Sequence, residues 1–218
     1  MKMFKSLGLL SLLAASSLSY AEAGDYGKPS WDYVSVGYAS MDFDANSTRE
    51  RATFTGYALQ GVKSIGDDYF AEFTYMAGDD NWKIATGGIA LEANLENTYL
   101  KVGAGTKRSF DKIGDVSLSA GYLKYEVTVQ GQPVMPEHDN SGVYISAGLS
   151  KKMRDTVELF GSVNHRRWEE TMAESGRDSE TQVSYGARIY VDNGIIISVT
   201  NRFIDYGDFL DLSVGYRF

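Results

Sequence analysis

The sequence predicts an all-β fold, an antiparallel up-and-down transmembrane β-barrel with ten strands. Apolar residues alternate with small or polar residues along most of the chain after residue 30, which is the period-two pattern of β-strands. The connections between these segments alternate between short and long, as they do in membrane barrels. Membrane-spanning strands need only about 9 to 11 residues each, so a chain without a long apolar helix can still cross a bilayer.

The N-terminus has the pattern of a secretory signal. Two lysines precede the apolar stretch Leu7–Ala15, and the small-residue cleavage motif Ala21-Glu22-Ala23 follows. The apolar stretch is shorter than the roughly 20 residues that a membrane helix needs, which argues against an anchor. We therefore expect residues 1–23 to be a cleaved signal peptide and residues 24–218 to form the barrel domain.

Composition narrows the function classes. The chain of 218 residues has no cysteine, which excludes disulfides, thiolate metal sites and thiol catalysis. Its formal net charge of −8 argues against nucleic acid as a partner. The length fits one domain.

Alternation supports seven of the eight predicted strands that precede the C-terminal hairpin. The predicted strands before the C-terminal hairpin are 31–43, 52–64, 69–77, 98–110, 116–128, 142–152, 156–168 and 181–191. Seven of them show an apolar face, formed in turn by Val34, Val36 and Tyr38; Ala71, Phe73 and Tyr75; Leu100, Val102 and Ala104; Val116, Leu118, Ala120 and Tyr122; Val143, Ile145, Ala147 and Leu149; Val157, Leu159 and Val163; and Val183, Tyr185, Ala187 and Ile189. The residues between them are mostly small or polar.

The connections fall into two length classes. The short ones are 65–68, 111–115, 153–155 and 192–194, and the long ones are 44–51, 78–97, 129–141 and 169–180. Trp82–Ala93, inside a long connection, is apolar enough to extend the neighbouring strands. The turn Asp192-Asn193-Gly194 places glycine at a left-handed position and should pair Ala187 with Val199.

The last two strands form a hairpin within Ile195–Phe218. A two-residue turn at Tyr206-Gly207 would place Arg202 opposite Asp211 and keep apolar residues opposite apolar ones. This hairpin provides the ninth and tenth strands.

The first strand VSVGYAS, the repeated strand–turn–strand units and the terminal SVGYRF resemble the small bacterial outer-membrane barrels of the OmpA/OmpX/Ail type. The resemblance implies export through the periplasm to the outer membrane of a Gram-negative bacterium. It also implies that Tyr216 and Phe218 form a signal for the outer-membrane assembly machinery. Members of that family have eight strands, so an eight-stranded barrel is the alternative to ten.

Alternation directs one set of charged residues into the barrel lumen: Glu72, Lys101, Glu158, Arg188, Arg202, Asp211 and Arg217. Buried charges are tolerated mainly when they are paired, and a narrow barrel is filled by its side chains. We therefore interpret the set as a structural ion-pair network. A selectivity lining is the alternative.

Two basic residues, Lys124 and Arg167, fall on the lipid face at the outer ends of their strands. They either extend to the headgroup level or contact lipopolysaccharide phosphates. The long connections and strand ends are acidic, with Asp42, Asp44, Glu50, Asp79, Asp80, Glu137, Asp139, Glu169, Glu170, Glu174, Asp178 and Glu180. We read these as solvated surface, because their spacing matches no calcium loop.

Neither histidine, His138 nor His165, lies in a pattern that supports catalysis, since His165 should face lipid. We predict no enzyme activity, no cofactor and no metal site. The predicted role is structural or surface-interactive, in envelope stability or adhesion. We expect a monomeric barrel in contact with membrane lipid and lipopolysaccharide. A narrow channel for ions or small solutes is the alternative, followed by an outer-membrane hydrolase.

Overall fold

The structure, a computed structural model, describes residues 29–44, 51–86, 89–130, 138–172, 177–204 and 207–218. They form one closed antiparallel sheet in which each strand pairs with its neighbour in sequence and the first pairs with the last. The strands are β1 Tyr33–Asp44, β2 Arg51–Ile65, β3 Tyr69–Thr86, β4 Ile89–Phe110, β5 Gly114–Gln130, β6 His138–Arg154, β7 Val157–Met172, β8 Arg177–Tyr190, β9 Ile195–Ile204 and β10 Gly207–Arg217. Ten strands are confirmed, and the eight-stranded alternative is wrong.

The two ends of the barrel differ. At one end, here called the turn end, the strands are joined by the short segments 66–68, 111–113, 155–156 and 192–194, and β1 begins beside the last residues of β10. At the opposite end, the loop end, the strands run further than the sequence predicted. Residues 82–86 continue β3 and pair with residues 89–93 of β4, which confirms that the described part of the Trp82–Ala93 stretch extends the neighbouring strands.

The turn before β9 has the predicted geometry. Asn193 and Gly194 have φ values of 65° and 81°, in the left-handed region that favours glycine and tolerates asparagine. Ala187 pairs with Val199 as predicted. The turn thus joins β8 to β9 with their apolar faces on the same side.

The β9–β10 hairpin has a different register from the predicted one. Ile204 pairs with Gly207, so Arg202 lies opposite Phe209 and Asp211 lies opposite Thr200. The predicted Arg202–Asp211 cross-strand pair is therefore wrong. A shift of two residues leaves every side chain on its predicted face, so the apolar pattern cannot distinguish the two registers.

The two surfaces of the sheet have opposite character. The outward face exposes large apolar side chains along nearly every strand, including Val36, Tyr38, Leu118, Ile145 and Leu212. The inward face buries serines, asparagines and charged residues together with a smaller number of apolar ones. A soluble protein has the opposite arrangement, with apolar residues inside and polar residues outside. An apolar outer face, on a closed sheet that satisfies its own backbone hydrogen bonds, is typical of a barrel surrounded by lipid. Among the described residues, no helix is long and apolar enough to cross a membrane.

Candidate functional site in the barrel interior

The turn-end half of the lumen is organised around Glu158. This carboxylate is fully buried, and Arg188 Nη1 donates to it at 2.5 Å. The hydroxyl of Tyr190 donates to its second oxygen, and Arg188 Nη2 donates to the hydroxyl of Tyr33 at 2.8 Å. The Arg188 guanidinium also lies over the ring of Phe160, 4.2 Å from its centroid. The charges of this pair are thus neutralised and its polar atoms satisfied, as burial requires.

A second cluster surrounds Glu72 in the middle of the barrel. Lys101 Nζ lies 3.2 Å from one carboxylate oxygen, and the hydroxyls of Ser119 and Tyr144 donate to the other at 2.7 and 2.8 Å. The Tyr144 ring lies across Gly103, where an added Cβ would be 1.9 Å from the tyrosine oxygen. Glycine at this inward position therefore makes room for the ring that completes the cluster.

A third cluster was not anticipated from the sequence. Arg166 and Glu180 are both buried and form an ion pair at 3.0 Å, and Arg166 also donates to Gln182. The assignment of Glu180 to a solvated loop is wrong, because β8 begins at Arg177, before its predicted start at residue 181, and pairs Glu180 with Arg166. Arg166 is two residues after Asn164, so the alternation that places Asn164 in the lumen also predicts that Arg166 faces the lumen.

Apolar side chains fill the rest of the loop-end half. A cluster of buried residues contains Ala39, Met41, Phe54, Ala58, Met76, Leu95, Tyr99, Leu123, Tyr125, Tyr144 and Trp168, with Val127, Ile204 and Phe209 packed against it. A smaller cluster of Tyr33, Tyr190 and Ile196 lies at the turn end. The polar middle of the lumen is thus enclosed between two groups of apolar and aromatic side chains.

Arg202 and Asp211 lie in the lumen without forming a direct ion pair. Arg202 Nη1 lies 3.5 Å from the sulfur of Met76, across the lumen. Asp211 is fully buried and accepts a hydrogen bond from Gln60 Nε2 at 2.9 Å. Within the described ranges, Arg202 has no carboxylate partner within ion-pair distance, and the second oxygen of Asp211 has no hydrogen-bond partner.

The segment before β1 crosses the turn-end opening. The indole nitrogen of Trp31 donates to Asp115 at 2.6 Å, its ring packs on Phe70 with centroids 4.7 Å apart, and Lys107 Nζ lies 5.2 Å from the ring centroid. Arg217, predicted to face the lumen, is exposed at this opening and lies over Tyr190 with 5.3 Å to the centroid.

Asp32 fixes the same segment to the end of β2. Lys63 Nζ lies 2.8 Å from its carboxylate, and the Ser64 amide donates to it at 3.1 Å. Burial raises the pKa of Asp32, but these two partners outweigh that effect and hold the pKa below its ordinary value.

A cavity of about 200 Å³ runs through the lumen, from Trp31 and Tyr33 near the turn end, past the charged clusters, to Ile204 and Phe209 near the loop end. Its walls include Tyr99, Trp168, Arg202, Met76 and Phe209. Two buried donors on these walls, the Tyr99 hydroxyl and the Trp168 indole nitrogen, have no hydrogen-bond partner in the part of the chain that the structure describes.

The remaining predicted site residues lie on the outer surface. Lys124 is bonded to Glu126 and lies 3.4 Å from Asp139, whereas Arg167 is exposed. Tyr216 and Phe218 are exposed at the turn end.

His165 is exposed, and its Nδ1 lies 3.2 Å from Thr181 Oγ1. Within the described ranges, no group of three or more histidine and acidic side chains could hold a metal ion.

No protein-family model matches the sequence, and no curated protein matches it either. Solved structures do match. The translocator domain of the autotransporter NalP from Neisseria meningitidis is 12% identical, with 98% of each chain covered and a TM-score of 0.54. The β domain of the Bordetella autotransporter BrkA is 10% identical, covering 86% of this chain and 98% of that chain, with a TM-score of 0.52. The chain shares its β-barrel fold with these two domains.

Ail from Yersinia pestis also matches, with 12% identity, 86% of this chain and 97% of that chain covered, and a TM-score of 0.44. The closed ten-stranded sheet confirms the predicted up-and-down β-barrel architecture. At these identities the likeness concerns the fold alone.

Proposed function

We propose that this chain is a non-enzymatic barrel of the Gram-negative outer membrane, with a side-chain-filled lumen and a structural or surface-interaction role. The observation that supports the proposal is the packing of the lumen. Four basic side chains, Lys101, Arg166, Arg188 and Arg202, project into its middle, together with four acidic ones, Glu72, Glu158, Glu180 and Asp211. Most of these groups bond each other instead of lining an open path.

The two ends support the same role. Trp31 lies in the turn-end opening, where it is bonded to Asp115 and packed on Phe70. The loop-end half contains Trp168 and the other residues of the apolar cluster. An ion that crossed the lumen would have to displace packed apolar side chains at both ends, and cores of this kind resist such rearrangement.

Planar-bilayer recordings of the refolded protein test the filled lumen. We expect no stable conductance steps from the natural sequence. The double variant Trp31→Ala/Trp168→Ala, which truncates both obstructions, should conduct. It is the positive control, because its conductance shows that the protein inserts into the bilayer. Stable steps from the natural sequence would contradict the filled lumen and favour the second candidate, a narrow channel, to which the internal cavity and its arginines would then belong.

We also propose contact with lipopolysaccharide phosphates through Arg167, with a weaker contribution from Lys124. Arg167 is exposed on the lipid face near the loop end, whereas Lys124 is already paired with two carboxylates. The double variant Lys124→Ala/Arg167→Ala should lower thermal stability in bilayers that contain lipopolysaccharide and leave it unchanged in phosphatidylcholine. An equal effect in both lipids would refute the contact.

The assembly-signal role of Tyr216 and Phe218 remains a proposal as well. Both side chains are exposed at the turn end, where an assembly factor could contact them. Phe218→Ala should reduce the amount of barrel assembled in cells without lowering the yield of spontaneous folding in detergent. Reduced folding in detergent would indicate a structural role instead.

A further inference from the structure

We infer that the loop-end part of the lumen cavity, where Arg202, Tyr99 and Trp168 lie, is a binding site for a small organic monocarboxylate with an apolar body. The carboxylate would bind Arg202, and the apolar body would lie against methionine and aromatic side chains. This site goes beyond the proposed structural role, and it does not require a conducting lumen.

The polar groups of the cavity that lack partners are donors. Among the described residues, Arg202 donates one hydrogen bond, to the Met76 sulfur at 3.5 Å. Most of its N–H groups therefore lack a protein acceptor. The Tyr99 hydroxyl and the Trp168 indole nitrogen are buried without partners on the same walls. A buried donor without an acceptor is costly, and a guanidinium matches a carboxylate with two parallel hydrogen bonds.

These groups lie close together in the barrel. Arg202 reaches Met76 across the lumen, and Met76 is the register partner of Tyr99 on the adjacent strand. Tyr99 is in turn the register partner of Tyr125, whose ring lies 6.4 Å from that of Trp168. The three donors therefore surround one space.

The nearby carboxylates do not compete for Arg202. Glu72 is bonded to Lys101, Ser119 and Tyr144, and Glu180 is bonded to Arg166. Asp211 forms no ion pair with Arg202 among the described residues, and one of its oxygens accepts from Gln60 Nε2 at 2.9 Å. An anion from outside the chain would supply the acceptor that these groups do not.

The other walls favour an apolar body over a hydrated ion. Phe209 lies opposite Arg202, and Met41 lies opposite Phe209 on β1. The cavity measures about 200 Å³ over its whole length, against the roughly 150 Å³ of an engineered apolar cavity that holds benzene. Arg202 is two residues from the end of β9, so this part of the cavity lies near the loop end.

Benzoate and its neutral analogue benzamide test the site in the natural protein folded in detergent micelles. The probe is the Trp168 indole N–H resonance, assigned with Trp168→Phe. Benzoate should shift this resonance saturably, and benzamide should bind at least about tenfold more weakly because it carries no charge for Arg202. No shift at about 10 mM benzoate, or equal binding of the two compounds, would overturn the inference.

Substitutions test which side chains bind the carboxylate of benzoate. Arg202→Gln should weaken benzoate binding by about ten- to hundredfold, and Tyr99→Phe by about fivefold. Arg217→Gln, an arginine outside the cavity, is the matched control and should leave the affinity unchanged. Unaltered binding in a folded Arg202→Gln variant would also overturn the inference, and the benzoate–benzamide comparison decides the matter if that variant does not fold.

Discussion

At the scale of single residues, the lumen separates what a sequence can predict from what it cannot. Alternation predicted that Glu72, Glu158 and Arg188 face inward, because side chains alternate strictly between the two faces of a strand. It could not identify the partners of Lys101, which depend on the stagger between strands and on contacts across the lumen. The Arg166–Glu180 pair was missed because a strand end is set by pairing with its neighbour, and charged residues alone resemble a loop.

Glu158 should be among the most sensitive positions. Glu158→Gln keeps the shape of the side chain but leaves Arg188 buried without its counter-charge, and breaking such a pair costs about 3–5 kcal/mol. Urea unfolding in lipid vesicles measures the loss. Glu126→Gln, which removes an exposed carboxylate beside Lys124, is the control and should change stability little. Equal effects would indicate that the lumen is well hydrated.

At the scale of strands and turns, position and face were predictable, but register was only partly so. The residue types of the Asn193-Gly194 turn determine its left-handed geometry, and the β8–β9 hairpin that it joins has the predicted register. The β9–β10 hairpin did not, because registers that differ by two residues bury the same faces. Contacts within the lumen, such as the hydrogen bond between Ser198 and Ser213, distinguish the two registers, and these are not readable from alternation.

Engineered cysteines test this register directly, since the natural chain has none. Ser198→Cys with Ser213→Cys should form a disulfide on mild oxidation, because the two hydroxyls lie 2.9 Å apart on directly paired residues. Thr200→Cys with Ser213→Cys, which the predicted register would pair, is the matched control and should remain reduced. Thiol titration after denaturation distinguishes them, and the opposite result would restore the predicted register.

The segment before β1 gives a second test at this scale. Trp31→Ala removes the hydrogen bond to Asp115 and the packing on Phe70, so residues 29–32 should detach from the turn-end opening more often. A cysteine at position 30 should then react with a maleimide about tenfold faster. The same cysteine in the natural background is the reference. An unchanged rate would show that Asp32, bonded to Lys63 and Ser64, holds the segment alone.

At the scale of the whole molecule, the closed sheet and its inverted surfaces were predictable together. The two length classes of the connections indicated a barrel with distinguishable ends, and alternation assigned the faces. The filling of the lumen was harder to predict from the sequence, because the packing of the apolar cluster that contains Met41 and Trp168 depends on which strands face each other across the barrel.

The lipid-facing assignment has a clear energetic test. Ile145, in the middle of β6, is 60% exposed on the outer face. Ile145→Arg should cost about 2–4 kcal/mol in a bilayer, as charges do near the midplane of a barrel's lipid face. Val191→Arg, just beyond β8 at the turn end, is the control and should cost about 1 kcal/mol or less. Reversible unfolding in vesicles measures both, and equal costs would contradict a membrane-embedded belt.

The pairing of β1 with β10 also has a kinetic consequence. Every other strand pair joins neighbours in sequence, so those hairpins can form by local search, whereas Tyr33 must find Arg217 from the opposite end of the chain. Contacts of such long separation are slow to form. Until they form, β1 and β10 each present an unpaired edge that can join another chain. Closure therefore determines when the chain ceases to be prone to aggregation, and substitutions in these two strands should slow folding more than equally destabilising ones in the β3–β4 hairpin.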